Sequence, residues 1–339
     1  MMFNSTLESQ TPEKLVLHSE AFHIPQLTIF TYPTRLASAW KPDILQIELP
    51  SYFLPEQQIE MSVRANSTRS STFRFEGRFQ KIYRRFASPL SLSGQYIFDA
   101  RRDTDRNMAH ILKNVMPGLL AAQKMMNIEE PITVLLPANA SAMAKTAYEI
   151  LGFSTLCTDR DVFGKLIYTP LGIKEIYQEY HDLLFRNLAF KGYIKETPER
   201  VFISRKGTRT LLNEKEIEAV LQDYGFQKVY YEDISVSEQW SISKNAKVVV
   251  GIHGAALCSL LFNRNAVKLV ELFHPGYVTH LYRNIVCVLG GSWCGVTGEM
   301  ETNLIKELDV RKNSRRFALS PTKIDPTSLR KALQHLGIE

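Results

Sequence analysis

Short apolar runs alternate with longer runs of helical periodicity through most of this chain. In the first half, the predicted strands are QYIFDA, ITVLLP and STLCT, and the predicted helices are RRDTDRNMAHILKNVMPGLLAAQKMM and SAMAKTAYEILGF. In the second half, the predicted strands are RVFISRK, FQKVYYED, KVVVG and VKLVELF, with helical runs between them. Strands that alternate with helices are typical of a parallel sheet covered by helices. The alternation therefore predicts an α/β fold, with a kink or break at Pro117 in the first helix.

The chain is long enough for two such domains. It has 339 residues, of which 45% are hydrophobic, and an average single domain is shorter than this. We predict two Rossmann-like domains that face a central cleft, an N-terminal domain in residues 1–190 and a C-terminal domain in residues 191–325. A final helix in residues 326–339 is predicted to begin at Pro326 and to pack back on the N-terminal domain.

The amino-terminal part is less regular. It contains short β-like pieces, LTIFTY and ILQIEL, and the run STFRFEGRFQKIYRRF, in which aromatic and basic residues alternate. Such alternation occurs on nucleic-acid surfaces. Here Gly77 marks a turn between two alternating runs, which favours a strand pair with its arginines in solvent. We therefore expect no nucleic-acid partner.

Charge and cysteine usage restrict the class of protein only loosely. The formal net charge of +6 suits an anionic ligand or an anionic membrane surface, and ordinary surface charge explains it equally well. The four cysteines contain no C-x-x-C pair, so reduced, mostly buried thiols are expected. No signal peptide and no run of about 20 apolar residues is visible. We expect a cytoplasmic protein, with peripheral association at the inner face of the cell membrane left open and the oligomeric state undetermined.

The stretch VVVGIHGAAL combines a strand, a glycine break and an apolar helical run. A junction of this kind presents free backbone N–H groups and the positive end of a helix dipole. Gly251 and Gly254 would let the main chain approach a ligand closely, and His253 would add a hydrogen-bond donor. Phosphate is the ligand that suits this arrangement. A histidine that only fills a loop beside turn glycines is the other reading, and spacing alone does not decide between them.

A second polar segment, ISRKGTRTLLNE, follows a predicted strand. Arg205, Lys206 and Arg209 converge there, and guanidinium groups bind phosphate in a bidentate manner. A basic surface loop would explain them too, but together with the histidine turn they favour a phosphate site. Glu271 ends an otherwise buried strand, where a ribose diol, a cap or a salt bridge would satisfy its carboxylate.

In the first half, RRDTDRNMAH places four polar candidates together: Asp103, Asp105, Asn107 and His110. The two aspartates form a D-x-D pair, which can hold a divalent cation that bridges a diphosphate. Acidic residues are also favoured by the dipole at a helix start, and we prefer that explanation. His110 could face the cleft as a general base, or be an ordinary core or surface histidine.

These segments together resemble the family-61 glycosyltransferases, which include many proteins of the bacterial capsular-polysaccharide type. The resemblance runs in order from about Arg106 to Gly295. It is carried by RNMAHILKNVMPGLL, by FISRKGTRTLLNEKEI and by SEQWSISKNAKVVVGIHGAALCSLLFNRNAVKLVELF. It implies a GT-B-like fold and an inverting transfer from a nucleotide sugar, UDP-linked, to a glycan hydroxyl in surface-polysaccharide synthesis. It also implies that neither a metal nor a further cofactor is required.

The resemblance implies a role for each site residue. In the donor site of the C-terminal domain, Arg205 and Arg209 neutralise phosphate, the turn holds the leaving diphosphate and Glu271 holds the ribose. The complete donor set is Arg205, Arg209, Asn213, Gly251, His253, Gly254, Ala255 and Glu271. In the acceptor-binding N-terminal domain, Asn107 and Asn114 contact the acceptor.

Asn114 departs from the family, which often has an acid four residues after the helix histidine. One of His110, Asp105 and Asp103 must then act as the base. A non-catalytic nucleotide-sugar-binding protein and a metal-dependent transferase that uses the two aspartates are the alternatives.

Overall fold

The computed structural model describes residues 14–33, 44, 46–65, 87–101, 105–168, 182–299 and 319–339. These residues fall into two compact units. The first is drawn from Met1–Glu20 and Glu56–Glu175, and the second from Ala21–Pro55 and Ile176–Glu339. Each unit has its own sheet with parallel strands and helices. The predicted GT-B-like α/β class, with two Rossmann-like halves, is therefore confirmed.

Among the described residues the strands are, in chain order, β1 (Lys14–Ser19), β2 (Phe22–Ile24), β3 (Leu27–Thr31), β4 (Gln46–Leu49), β5 (Tyr52–Leu54), β6 (Gln57–Ala65), β7 (Leu90–Asp99), β8 (Ile132–Leu136), β9 (Ser154–Cys157), β10 (Val162–Tyr168), β11 (Arg200–Ser204), β12 (Gln227–Tyr230), β13 (Val248–Ile252), β14 (Lys268–Phe273) and β15 (Ser292–Thr297). The α-helices are α1 (Met108–His110), α2 (Met116–Met125), α3 (Ala142–Glu149), α4 (Glu214–Asp223), α5 (Val236–Asn245), α6 (Leu281–Val288) and α7 (Pro326–His335). The other helical segments are the π-helical turns Ile111–Val115 and Asp182–Arg186 and the 3-10 helices Tyr231–Asp233 and Ala255–Phe262.

The first unit contains a mixed sheet of six strands, in the order β1-β6-β10-β7-β8-β9. The four strands from β10 to β9 pair in parallel, whereas β6 pairs antiparallel with both β1 and β10. The parallel part follows from the predicted alternation of strand and helix. The antiparallel edge comes from the amino-terminal strands, whose partners are distant in sequence.

The helix predicted over residues 101–126 is interrupted before Pro117, as the sequence predicted. The π-helical turn Ile111–Val115 follows α1, and Pro117 lies in the first turn of α2. Proline is tolerated there because its missing N–H has no intrahelical partner to lose. All seven residues from Met116 to Ala122 are buried, so the restarted helix packs into the core of its unit.

The second unit contains a sheet of seven strands, in the order β12-β11-β13-β14-β15-β3-β4. All neighbours in this sheet are parallel except β3 and β4. All five residues of β13 are buried, and so are the last five residues of β14. Strands buried on both faces read as continuous apolar runs, which is why KVVVG and VKLVELF were recognisable in the sequence.

The amino-terminal strands correct the predicted domain boundaries. β3 and β4 belong to the second unit, because β3 pairs in parallel with β15 between Thr28 and Cys294 and between Thr31 and Thr297. The predicted N-terminal domain of residues 1–190 is therefore interrupted by 21–55, and the chain joins the second unit again at Ile176. The physical reason is that β14 covers one edge of β15 and β3 pairs with the other edge, which would otherwise be unpaired.

The C-terminal helix α7 packs within the second unit, against β15, β3 and α4. Its apolar side chains Leu329, Ala332 and Leu333 are fully buried in the same core cluster as Phe30 of β3. Because β3 belongs to the second unit, α7 packs on its own unit, and the predicted packing on the N-terminal domain is replaced by this contact. Burial of three apolar side chains contributes several kcal/mol by the usual area relation, roughly 1.5–3 kcal/mol for each large one.

One predicted segment, the aromatic and basic run at residues 71–86, lies outside the described residues. Within the described part of the chain, no helix combines the length and the apolar character that crossing a membrane requires.

Candidate functional site

The predicted strand–glycine–helix junction exists at the end of β13. His253 follows this strand, and its backbone N–H donates to the carbonyl of Leu272 in the neighbouring strand at 2.9 Å. The apolar run after it forms the 3-10 helix Ala255–Phe262 instead of the predicted α-helix, with half-buried Ala255 as its first residue. Six of its eight residues are buried. The junction thus presents the start of a short, buried helix beside His253.

The two glycines of the junction have different roles. A β carbon on Gly251 would lie 2.5 Å from Cδ2 of Leu257, so this glycine makes room for a core leucine rather than for a ligand. A β carbon on Gly254 would lie 2.9 Å from Cζ of Arg205. Gly254 therefore lets the guanidinium of Arg205 lie directly on the backbone of the turn.

Arg205 and Arg209 converge on this turn, as the sequence predicted. Nη1 of each arginine donates to the backbone carbonyl of His253, and both distances are 3.2 Å. The convergence follows from topology, because β11 pairs in parallel with β13 and the carboxyl ends of both strands lie at one edge. Within the described ranges, no carboxylate forms an ion pair with Arg205, whose other hydrogen bond goes to Thr208.

Arg209 is held by its backbone and by an aromatic ring. Its φ of 56° lies in the left-handed region, and its N–H donates to the carbonyl of Leu319 at 3.0 Å. Its guanidinium lies 4.7 Å from the centre of the Tyr277 ring, a cation–π contact. Burial, and then the like charge of Arg205, lowers the pKa of Arg209. Two guanidinium groups at one carbonyl form a positive site that suits an anion with several oxygens.

Lys206 does not join this cluster, contrary to the prediction for the segment. Its Nζ forms an ion pair with Asp233 at 2.5 Å, and the hydrogen bond to that carboxylate raises the pKa of Lys206. The three basic residues of the segment therefore divide into two that reach the turn and one that does not.

His253 is buried and is bonded to Glu271 behind it. Nδ1 of His253 lies 2.5 Å from Oε1 of Glu271, and Nε1 of Trp293 donates to Oε2 of Glu271 at 2.8 Å. Glu271 has no exposed surface, and His253 is 5% exposed. Of the three predicted partners of Glu271, the structure shows the salt bridge, which Glu271 forms with His253. The predicted contact with a ribose is wrong, because both carboxylate oxygens bond to protein groups.

Three aromatic rings surround the imidazole of His253. Phe273 stacks on it with centroids 5.4 Å apart, and the rings of Tyr277 and Tyr282 lie at 5.2 and 5.3 Å. Burial raises the pKa of Tyr282 well above its ordinary value, so its hydroxyl stays protonated. Tyr277 is 40% exposed and touches both His253 and Arg209.

Sequence reasoning missed Tyr277, Tyr282 and Trp293. The first two lie in YVTHLYRNIVCV, where the spacing of apolar residues would have predicted helix α6. Trp293 lies in the short run SWCGVT, which forms β15. No spacing signal connects these residues with His253, because the contacts depend on how neighbouring strands are ordered.

Asn213 also has a different role from the predicted one. It occupies the N-cap position of α4, but its side chain does not cap the helix. Instead, Nδ2 donates to the carbonyl of Ile324 at 2.8 Å, and Oδ1 accepts from the N–H of Ile324 at 3.1 Å. Its amide thus ties the segment before α7 to the start of α4, and the predicted donor contact of Asn213 is replaced by this role.

In the first unit, His110 and Asn114 form a pair. Nδ2 of Asn114 lies 3.0 Å from Nδ1 of His110, across one turn of the helix. Both side chains are partly buried. Asn114 thus lies beside His110 at the position where the family often has an acid, and its predicted contact with the acceptor stays a prediction.

The other polar residues of this segment support the helices. Oδ1 of Asn107 accepts from the N–H of Ala109 at 2.9 Å and caps α1. Its predicted contact with the acceptor stays a prediction. Oδ2 of Asp105 accepts from the N–H of Ser141, the N-cap residue of α3, at 2.5 Å. Asp103 lies outside the described residues. Among the described residues, no group of three or more His, Cys, Asp or Glu side chains could hold a metal ion.

Comparison with known proteins identifies one family, and individual relatives and solved structures are similar to parts of the chain. A family model described as Glycosyltransferase 61 matches residues 24–270. The EGF domain-specific O-linked N-acetylglucosamine transferase of Drosophila melanogaster is 28% identical over 124 residues, which cover 34% of this chain and 24% of that protein. The chain thus matches about a quarter of that relative's length. The structure of TibC, a dodecameric iron-containing heptosyltransferase in complex with ADP-D-β-D-heptose, has a TM-score of 0.32 at 10% identity, over 76% of this chain and 74% of that one.

Proposed function

The chain belongs to the glycosyltransferase 61 family, and from that premise we propose that it moves a sugar from a nucleotide-sugar donor to a hydroxyl group of a glycan acceptor. The observation that carries this proposal is the convergence of Arg205 and Arg209 on the carbonyl of His253. The leaving group of such a transfer is a nucleoside diphosphate. Two guanidinium groups beside a helix start are suited to its negative charge.

The donor diphosphate would bind to this turn in the second unit. Charge that develops on the leaving oxygen would be stabilised by Arg205, by Arg209 and by His253, so that no metal is required there. The wall of the site that faces solvent includes Tyr277, whose ring supports Arg209. We propose UDP as the nucleotide, in agreement with the resemblance of the sequence.

His110 would be the base for the acceptor. The acceptor hydroxyl oxygen would form a bond to the anomeric carbon while its proton passes to His110. The bond from that carbon to the diphosphate oxygen would break at the same time, and the diphosphate would leave with the electron pair. Attack on the face opposite the leaving group inverts the anomeric carbon.

The acceptor would be a surface polysaccharide or a lipid-linked glycan. The Drosophila relative is named as an O-linked N-acetylglucosamine transferase, which supports a hydroxyl acceptor. The relation covers only a third of this chain, so the sugar of that relative is not carried over.

The test compares three substitutions in one segment. Arg205→Ala and Arg209→Ala should each weaken UDP binding, measured by titration calorimetry, by about tenfold or more, because a charge-assisted hydrogen bond contributes roughly 1.5–3 kcal/mol. Lys206→Ala is the matched control, because it removes an equal charge that points to Asp233. His253→Ala should lower the transfer rate about 100-fold or more with the fold intact. Wild-type UDP affinity in both arginine variants would refute the proposal.

A non-catalytic nucleotide-sugar-binding protein is the second candidate. Asn114 favours it, because an amide replaces the acid that the resemblance leads us to expect beside His110. The carboxylate of Asp105 also already accepts a hydrogen bond from Ser141. Binding of UDP-sugars without hydrolysis or transfer, across a panel of acceptors, would establish this candidate in place of the enzyme.

A metal-dependent transferase is tested separately. If Asp103 and Asp105 held a divalent cation, a chelator would abolish transfer, and added Mg²⁺ or Mn²⁺ would restore it. We expect the transfer rate to stay unchanged when EDTA is added.

A further inference from the structure

We propose that Glu271 is a positioning residue that acts through His253, orienting its imidazole so that Nε2 donates a hydrogen bond to the leaving diphosphate. This inference rests on the proposed function, because it concerns the same site. It assigns Glu271 a role without any contact to substrate. Glu271 has no exposed surface, and both of its carboxylate oxygens are bonded to protein groups.

The carboxylate itself is held in place. Trp293 donates to one oxygen of Glu271, which leaves the other to face Nδ1 of His253. The two residues in register beside Glu271 on the neighbouring strands are both glycines, Gly251 in β13 and Gly295 in β15. A β carbon on Gly295 would lie 2.8 Å from the Trp293 ring. The glycines on both sides of Glu271 therefore leave space that the side chains of Leu257 and Trp293 occupy.

This geometry determines which ring nitrogen can meet a ligand. A carboxylate only accepts, so Nδ1 of His253 carries a proton and Nε2 is the atom left for a partner. Within the part of the chain that the structure describes, Nε2 has no hydrogen-bond partner. A carboxylate that fixes the tautomer and orientation of a working histidine in this way is a known catalytic arrangement.

The charges around the ring agree with a donor role. An imidazole that donates at both nitrogens is positive, and the fully buried Glu271 supplies the compensating negative charge inside the protein. The other groups facing His253 are the guanidiniums of Arg205 and Arg209 at its carbonyl and the rings of Tyr277 and Tyr282 beside its imidazole. A diphosphate bound here would contact three positively charged hydrogen-bond donors, which are Arg205, Arg209 and His253.

The variant Glu271→Gln separates positioning from a merely structural role. The amide oxygen would accept from Trp293, and the amide nitrogen would then donate to Nδ1, which must lose its proton. The ring would keep its donor at Nε2 but become neutral. We expect UDP affinity to fall about tenfold or more, the range found when a residue that orients a metal-ligating histidine is removed.

Two measurements test the inference directly. Nitrogen NMR of the UDP complex, with the His253 signals identified by their loss in His253→Ala, should show both ring nitrogens protonated in the wild-type protein and only Nε2 protonated in Glu271→Gln. An unprotonated Nδ1 in the wild-type complex would overturn the inference, even if Glu271→Gln failed to fold. In a double-mutant cycle, Glu271→Gln should weaken UDP binding little further once His253 is alanine. Additive losses would mean that Glu271 does not act through His253.

The outcome is distinguishable from failure of the proposed function. If the wild-type chain neither binds UDP nor transfers a sugar from any UDP-sugar, the function is wrong, and the inference falls with it. If the wild-type chain binds UDP and Glu271→Gln binds it equally well, the function stands and only the positioning role is refuted.

Discussion

The guanidinium of Arg205 lies against the backbone of Gly254, where no β carbon would fit. The φ and ψ of Gly254 are 174° and 175°, an extended conformation that any residue adopts. Glycine is therefore required at this position by the arginine and not by the backbone. Because Gly254 has no side chain, the guanidinium of Arg205 can lie close to the backbone of the turn.

Gly254→Ala should weaken nucleotide binding without unfolding the protein. The new methyl group would displace the flexible end of Arg205, so we expect UDP affinity to fall about 10- to 100-fold, as for the loss of one charge-assisted hydrogen bond. The melting temperature should change little. Gly251→Ala is the contrasting variant: its methyl group would press on the fully buried Leu257, which should cost about 1–3 kcal/mol of stability. If Gly254→Ala bound UDP with wild-type affinity, the close contact between Gly254 and Arg205 would not contribute to UDP binding.

Asn213→Ala should lower stability. The substitution removes two hydrogen bonds to the backbone of Ile324 and leaves buried backbone groups without their partners. We expect a loss of about 1–3 kcal/mol in the free energy of unfolding, measured by urea titration. An unchanged free energy of unfolding combined with weaker UDP binding would restore the donor role that the sequence suggested.

His110→Ala should slow transfer while leaving UDP binding unchanged. A general base contributes at least about 100-fold to a rate, so the turnover number should fall by about that factor. Asn114→Ala should cause a smaller loss, because it removes only the partner of Nδ1. Turnover numbers with a saturating donor give the measurement. Wild-type turnover in His110→Ala would transfer the role of base to another residue.

The stability of the second unit should depend on pH through His274. This side chain is buried, with Nδ1 accepting from the N–H of Gly276 and Nε2 bonded to Ser320. Burial, and then the charge of Arg209, lowers the pKa of His274 from its ordinary value of 6.5. The unfolded chain then binds more protons than the native one below that value. Stability is full above pH 6.5 and is lost as the pH falls through the lowered pKa.

The variant His274→Asn provides the measurement. Asparagine keeps an acceptor where Nδ1 was but does not titrate in this range, so its melting temperature should fall less between about pH 7 and pH 5. Parallel curves for the wild type and the variant would show that His274 is not the titrating group.

The elements that local periodicity controls were predictable. The strands β11 to β14 and the helices between them follow from apolar runs and helical spacing within single segments. The pairing of β3 with β15 was not predictable, because nothing in LTIFTY indicates which distant edge it will join. The run AALCSLLF gave a helix but not its type, since it has no polar residue spacing that separates a 3-10 helix from an α-helix.

The site was predictable where topology alone decides. Arg205 and His253 follow adjacent parallel strands, so their approach needed only the strand order. The partner of Glu271 was not predictable, because both a ribose hydroxyl and an imidazole N–H can donate to a buried carboxylate and the sequence does not distinguish them. The role of Asn213 was not predictable either, because its amide bonds to Ile324, which is more than a hundred residues away.

The insertion of β3 and β4 beside β15 has a consequence for how the chain acquires its structure. The ribosome makes β3 (Leu27–Thr31) long before its parallel partner β15 (Ser292–Thr297). Until β15 has been made, β3 has no parallel strand to pair with. Contacts this distant in sequence slow folding and leave strand edges exposed to other molecules. A fragment that began at residue 191 would keep that edge open permanently, and aggregation of such a fragment would reflect a missing strand rather than an unstable core.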